Sequence, residues 1–349
     1  MAMATLLPEE IQVDIHLRLP LKSIGICRCV CKLWCSLLCD PSFVKTRLNQ
    51  TVHTNKNHRL IISHSKYCSD INPTIYSIDY ASISASSLSL SLSLELIPSS
   101  FKCIASGTIG KDDDNSICIW NPMTGEYKKI ESGCDFMVEY DGYNFRYGFG
   151  NDNLIGDYKV VRIGKYLGLF DGKVYTLASN SWRRVGSGKH YEFSRERRYP
   201  GVLLNGALHW LGCVTTGKEG SSEVIVAFDV SSERSIHLPF PDGIIAPPPE
   251  LGDDDDLNKD VGGLGDCLCL SVVRFVWIDV WVMQEYGVQE SWIKQFTFEY
   301  GAWNIPLSSS RYSFCKPIWS FENCEILLDT SEGLLFCFCM IRKLEELEE

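Results

Sequence analysis

Four segments of this chain recur at a near-constant interval, and each reads as a strand, a turn and a strand: ICIWNPMTGEYKKI from Ile117, KVYTLASNSWRRV from Lys173, VAFDVSSERSIHLP from Val226 and DVWVMQEYGVQESWIKQF from Asp279. Aligned on Trp120, Tyr175, Phe228 and Trp281, they stand 55, 53 and 53 residues apart. A strand-rich period of ~50 residues is that of radially stacked β-blades, in which no repeat buries its faces alone. A second unit recurs between the hairpins, a glycine followed by a short apolar strand: GALHWL from Gly206, GDCLCL from Gly265 and GLLFCF from Gly333. An unbroken apolar strand predicts burial on both faces, as for an inner strand packed between neighbouring sheets.

The chain before these repeats follows helical rules. Pro8 with Glu9 and Glu10 is a helix start, since proline is pre-set for a first turn and carboxylates favour the positive end of the dipole. Ile11 and Ile15 then share a face, and Pro20 ends that helix. Ile24, Cys27, Cys31, Trp34 and Leu38 form one apolar stripe, and Ile26, Val30, Leu33 and Leu37 form another. The two together predict a helix that is apolar nearly all round, with Asp40 capping a short last helix anchored by Phe43 and Leu48. Some 40 residues rarely bury enough surface to fold alone, so two apolar faces imply one for internal packing and one for another protein.

The pattern Leu7-Pro8-x-Glu10-Ile11, Arg18-Leu19-Pro20-x-Lys22-Ser23, Val30-Cys31-Lys32-x-Trp34-x-x-Leu37 and Asp40-Pro41-x-Phe43 resembles an F-box. Further on, Asn121-Pro-x-Thr-x-Glu-Tyr127, Tyr147-Gly-Phe-Gly150, Asp157-Tyr-Lys-Val-Val161, Asn205-Gly-Ala-Leu-His-Trp210, Val280-Trp-Val-Met283 and Ser291-Trp292 resemble the F-box-associated domain of plant F-box proteins. The resemblance implies a small helical domain followed by an all-β, kelch/propeller-like domain. It also implies an F-box docked on a Skp-family adaptor and, through it, on the cullin and RING subunits of an SCF ubiquitin ligase. On this reading the chain is a non-catalytic receptor, and the β-domain binds a protein target for ubiquitination. The adaptor-binding residues carried over are Leu7, Pro8, Ile11, Ile15, Leu19, Pro20, Val30 and Trp34. Two departures stand out: His16 occupies a usually apolar position, and Gly25, Ile26 and Cys27 replace a Leu-Arg-Phe run. Glycine within a helix costs ~1 kcal/mol against alanine, so weaker docking than in a typical member is expected.

The expected domains are a helical domain over 1–50, a linker over 51–58, a β-domain over 59–341 and an acidic tail over 342–349. Short strands are expected at residues 58–64 and 74–80, and the alternation of Leu88, Leu90, Leu92, Leu94 and Leu96 predicts a half-buried strand. The family continues beyond Phe338 with further strands where this chain reads MIRKLEELEE, so the sequence leaves closure of the propeller open.

Other chemistries find little support. A net charge of −11 disfavours nucleic acid, which is bound through clustered Lys and Arg. The local exception is Arg183, Arg184, Lys189, Arg195, Arg197 and Arg198 near Tyr191, Phe193 and Tyr199, either a ligand site for an acidic or nucleic-acid partner or a solvated loop. The acidic run Asp253 to Asp256 reads as an exposed loop. Arg274 and Asp279 interrupt the most apolar stretch, and no secretory leader is read at the start, so the expected location is cytoplasmic or nuclear, where sixteen cysteines stay reduced. Cys27, Cys29, Cys31, Cys35 and Cys39 lack the C-x2-C spacing of structural zinc sites, so no metal is expected. Gly212 to Lys218 imitates a phosphate loop, but Glu219 replaces the magnesium-holding hydroxyl and a hairpin loop is expected instead. His209 reads as a core histidine, and no cofactor or catalytic residue is assigned. Two alternatives remain beside the receptor: a divergent or truncated F-box protein that holds the adaptor without productive ubiquitination, and a propeller enzyme.

Overall fold

The computed structural model describes residues 7–19, 21–40, 42–44, 46–47, 59–64, 74–79, 95–97, 116–120, 127–131, 144–166, 169–186, 191–193, 200–215, 221–242, 244, 258–273, 277–299, 315–320 and 326–330. The chain divides into two compact units, residues 1–62 with 76–96 and residues 63–75 with 97–349.

Three helices open the chain: α1 (Glu9–Arg18), α2 (Leu21–Arg28) and α3 (Lys32–Cys39). The single all-round apolar helix expected after Pro20 is broken in two. Cys31 is extended rather than helical, and its Sγ accepts the Trp34 backbone N–H at 3.4 Å, acting as an N-cap for α3. The β-branched and cysteine-rich turn 29–31 has low helix propensity, and a local side-chain cap wins over continuation. Asp40 caps the next helical turn through the Ser42 N–H at 2.8 Å, placing Phe43 in the interior.

Strands β1 (Arg59–His64), β2 (Thr74–Asp79) and β3 (Glu95–Ile97) form one sheet in that order. The Leu88 to Leu96 alternation lies outside the described residues except for β3. The repeats then appear as sheets. A hairpin of β4 (Ser116–Trp120) and β5 (Tyr127–Glu131) precedes a four-stranded antiparallel blade, β6 (Asn144–Asp152), β7 (Asp157–Tyr166), β8 (Leu169–Thr176) and β9 (Ser181–Val185). The next blade runs β10 (Tyr191–Glu192), β12 (Ala207–Thr215), β13 (Ser221–Asp229), β14 (Ser235–Leu238), with β11 (Val202–Leu204) also paired to β12. A third blade follows as β15 (Asn258–Leu264), β16 (Cys267–Val273), β17 (Trp277–Met283) and β18 (Trp292–Glu299), and then a hairpin of β19 (Cys315–Ser320) and β20 (Ile326–Thr330). The four aligned aromatics occupy matching strands, with Trp120 opposite Tyr127, Tyr175 opposite Trp182, Phe228 opposite Ser235 and Trp281 opposite Lys294. The Gly333 strand, the acidic run and the tail lie outside the described residues.

The core lies between blades, and period-two alternation divides it. On β13, Val224, Val226 and Phe228 face back to Val161, Ile163 and Trp210, while Ile225 and Ala227 face forward to Leu268, Leu270 and Val272. Ile117 and Ile130 pack on Val160 and Tyr175 in the same way. β16 is buried along nearly its whole length, as its apolar run predicts. Indole N–H groups stitch successive sheets: Trp182 donates to the Glu131 carbonyl at 2.8 Å, Trp210 to Tyr147 at 3.2 Å and Trp292 to Pro239 at 3.1 Å.

Two motif glycines are required by the backbone, one through close approach and one through its turn. A Cβ at Gly148 would stand 2.7 Å from Leu208 Cδ1 and 2.8 Å from Trp210 Cζ2, so only a bare backbone lets β6 lie against the next blade. Gly206 follows Asn205, both with positive φ, in the two-residue turn that suits a β-hairpin. The phosphate-loop look-alike is neither a phosphate loop nor, in its first part, a hairpin loop. Gly212 to Thr215 continue β12 in register with Val224 to Ser221, because the apolar alternation of β13 extends the ladder.

Candidate functional site

In the helical unit the packing is organised by polar contacts. The Trp34 indole donates to Gln12 Oε1 at 3.0 Å, and the Gln12 amide donates to the Leu7 carbonyl at 2.8 Å. His16, 2% exposed, meets the Trp34 ring edge-on at 4.7 Å between centroids and donates from Nδ1 to the Gln12 carbonyl at 2.6 Å. The histidine departure is therefore absorbed: the imidazole fills an interior position and satisfies its N–H locally. Arg47 closes the far end of α1 by donating to the Leu17 and Leu19 carbonyls, which no helix residue can reach.

An apolar edge is left outside at α1. Ile11 and Ile15, spaced by four on the helix, and Leu7 just ahead of it are between 43% and 48% exposed. Val30 is 60% exposed, because the break between α2 and α3 lifts it out of any helix face, and Ile26 and Leu33 are exposed with it. Pro8 is exposed, Leu19 is half-buried, and Trp34 is half-buried with its N–H already engaged. Pro20 lies outside the described residues. Ile26 and Leu33 were legible as a stripe, but nothing in their spacing told an outward face from an inward one.

The β-domain carries a second feature, a cleft of about 590 Å³ where the β6–β7 turn and strand β9 meet the β13–β14 turn of the next blade. Its floor is an ion network. Lys159 Nζ lies 2.6 Å from Asp152 and 2.8 Å from Glu233 and donates to the Val230 carbonyl at 2.9 Å. Ser231 donates to Asp152 at 2.7 Å, and Arg183 pairs with Glu233 from the exposed side. Burial pushes the Asp152 carboxyl up, but hydrogen bonds from Lys159 and Ser231 outweigh it and hold it at about 2. Burial likewise pushes Lys159 down, and its bonds to Asp152 and Glu233 raise it above its ordinary value.

Other residues singled out in the sequence are structural. Tyr191 and Phe193 are buried between blades, which removes them as stacking platforms for bases; Lys189, Arg195, Arg197, Arg198 and Tyr199 lie outside the described residues. His209 donates from Nδ1 to the Val202 carbonyl at 3.0 Å and so accepts at Nε2 from the Tyr286 hydroxyl at 2.7 Å. Burial lowers its pKa, with backbone hydrogen bonds from the ring opposing. Among the described residues no cluster of metal-ligating side chains occurs, and no helix is long and apolar enough to cross a membrane.

Comparison with known proteins agrees with both halves of the chain. F-box protein CPR1 of Arabidopsis thaliana is 29% identical over 363 aligned residues, covering 96% of this chain and 82% of that protein. An F-box/kelch-repeat protein of the same plant is 26% identical, covering 95% and 88%, and another F-box protein is 26% identical, covering 93% and 81%. The F-box domain profile matches residues 5–46. With the F-box associated beta propeller domain profile matching residues 107–347, on the blades just described, the chain belongs to the plant F-box proteins that carry a C-terminal F-box-associated propeller.

Proposed function

We propose that this protein is the receptor subunit of an SCF-type ubiquitin ligase, its helical domain docking on a Skp-family adaptor and its β-domain holding the protein to be ubiquitinated. The observation that supports this reading is the edge formed by Leu7, Ile11 and Ile15, large apolar side chains left in solvent at a helix whose opposite side is already packed. Pro8, Leu19, Pro20, Val30 and Trp34 complete the proposed adaptor contact, with Val30 reaching out beside Ile26 and Leu33. F-box proteins are generally non-catalytic, and here transfer is accelerated by proximity: a target held near the ubiquitin-loaded enzyme presents its lysines at high effective concentration. A cytoplasmic or nuclear address belongs to the same proposal.

Co-purification of the full chain with a Skp-family adaptor and cullin tests it. Wild type is expected to bring down both, and Ile11→Asp neither, with unchanged helical circular dichroism because Ile11 is solvent-exposed. Adaptor capture that survives Ile11→Asp overturns the assigned face, and no capture by wild type overturns the proposal. A target whose half-life does not respond to removal of the receptor would mark an adaptor-binding protein without productive ubiquitination.

A further inference from the structure

The β6–β7 turn places two large aliphatics where solvent should favour polar residues: Leu154 is 83% exposed and Ile155 is 61% exposed. Ile155 forms the lip of the cleft floored by the Lys159 network, and Arg183 and Arg234 line the same cleft. Three cations, Lys159, Arg183 and Arg234, stand there against two carboxylates, Asp152 and Glu233. Both carboxylates are buried and face Lys159, so the exposed side of the cleft is cationic inside a chain of net charge −11. Arg183 is 59% exposed while paired to Glu233, so its guanidinium is held in place by one partner with further N–H donors free to meet another. The floor fixes both turns of the cleft, so its geometry is set before anything binds.

We propose that this cleft is a target-recognition site of the β-domain, taking an extended segment of a partner protein in which acidic side chains lie beside a large apolar one. The acidic groups meet Arg183 and Arg234, and the apolar side chain packs on Ile155 and Leu154. The inference rests on the receptor reading and adds the place and chemistry of recognition. A protein segment is favoured over nucleic acid because the aliphatic lip offers a phosphate backbone nothing and the overall charge repels it.

The test is selection of random 12-residue displayed peptides on the immobilised full chain co-purified with its adaptor, followed by fluorescence anisotropy of the enriched peptides. Enrichment of Asp or Glu within three positions of Leu, Ile or Phe is expected. The enriched peptides should bind about tenfold or more weakly to the Arg183→Glu/Arg234→Glu double variant and to Ile155→Asp, and more weakly as salt rises. These substitutions lie on exposed side chains, and unchanged adaptor capture by the variants separates this test from that of the adaptor face. No enrichment, enrichment without acidic residues, binding indifferent to both variants, or equally tight binding of an RNA 12-mer would each overturn the proposal.

Discussion

Three glycines of this chain respond differently to replacement. Gly148 sits under Leu208 and Trp210 with no room for a Cβ, so Gly148→Val should destabilise the β-domain by roughly 3 kcal/mol through overpacking, measured by denaturant unfolding. Gly156 has open space but a φ of +67°, so Gly156→Ala should cost only about 1 kcal/mol, from backbone strain alone. Gly25 has neither constraint: it is helical and exposed with nothing near its missing Cβ, so Gly25→Ala should stabilise the helical unit by about 1 kcal/mol. His209 adds a pH dependence. Because its folded pKa lies below the ordinary 6.5, the unfolded chain binds the extra proton first, and stability should fall as pH drops below 6.5. His209→Phe should flatten that part of the profile.

At the level of elements, the strand pairs and their order were legible because a period of two and a spacing of 53 to 55 residues are written into local sequence. Strand β9 begins Ser181-Trp182 and β18 begins at Trp292 directly after Ser291, and both indoles donate to carbonyls of the chain before their own blade, a link no spacing argument could assign. Trp292→Phe keeps the ring but loses the bond to Pro239, and a loss of about 1 kcal/mol is expected in thermal unfolding. The helices were legible in kind but not in number. The break at Cys31 depends on a thiol reaching the Trp34 N–H, and propensity ranks cysteine too close to its neighbours to predict it.

For the whole molecule, the Lys159 network joins residues more than 70 positions apart and ties one blade to the next. Asp152 stays ionised down to about 2, so its contribution is complete above its ordinary 3.8 and is lost as pH falls through the folded value; Lys159, shifted upward, contributes until pH rises past 10.5. Thermal unfolding of the full chain should therefore soften between pH 4 and 2, and Asp152→Ala should remove that acid limb while costing about 3 kcal/mol at neutral pH, because it leaves a buried ammonium short of a partner. Sequence alone determined the class of fold, the succession of blades, the helical domain before them and the apolar residues of that domain, because periodicity and turn chemistry act over a few residues and are read locally. The tertiary structure alone decided which apolar side chains face outward and that Tyr191 and Phe193 are core. It also decided that Arg183, Arg234 and Ile155 share one cleft. Exposure and charge pairing depend on which distant strand covers a given face, and that is settled only when the blades pack.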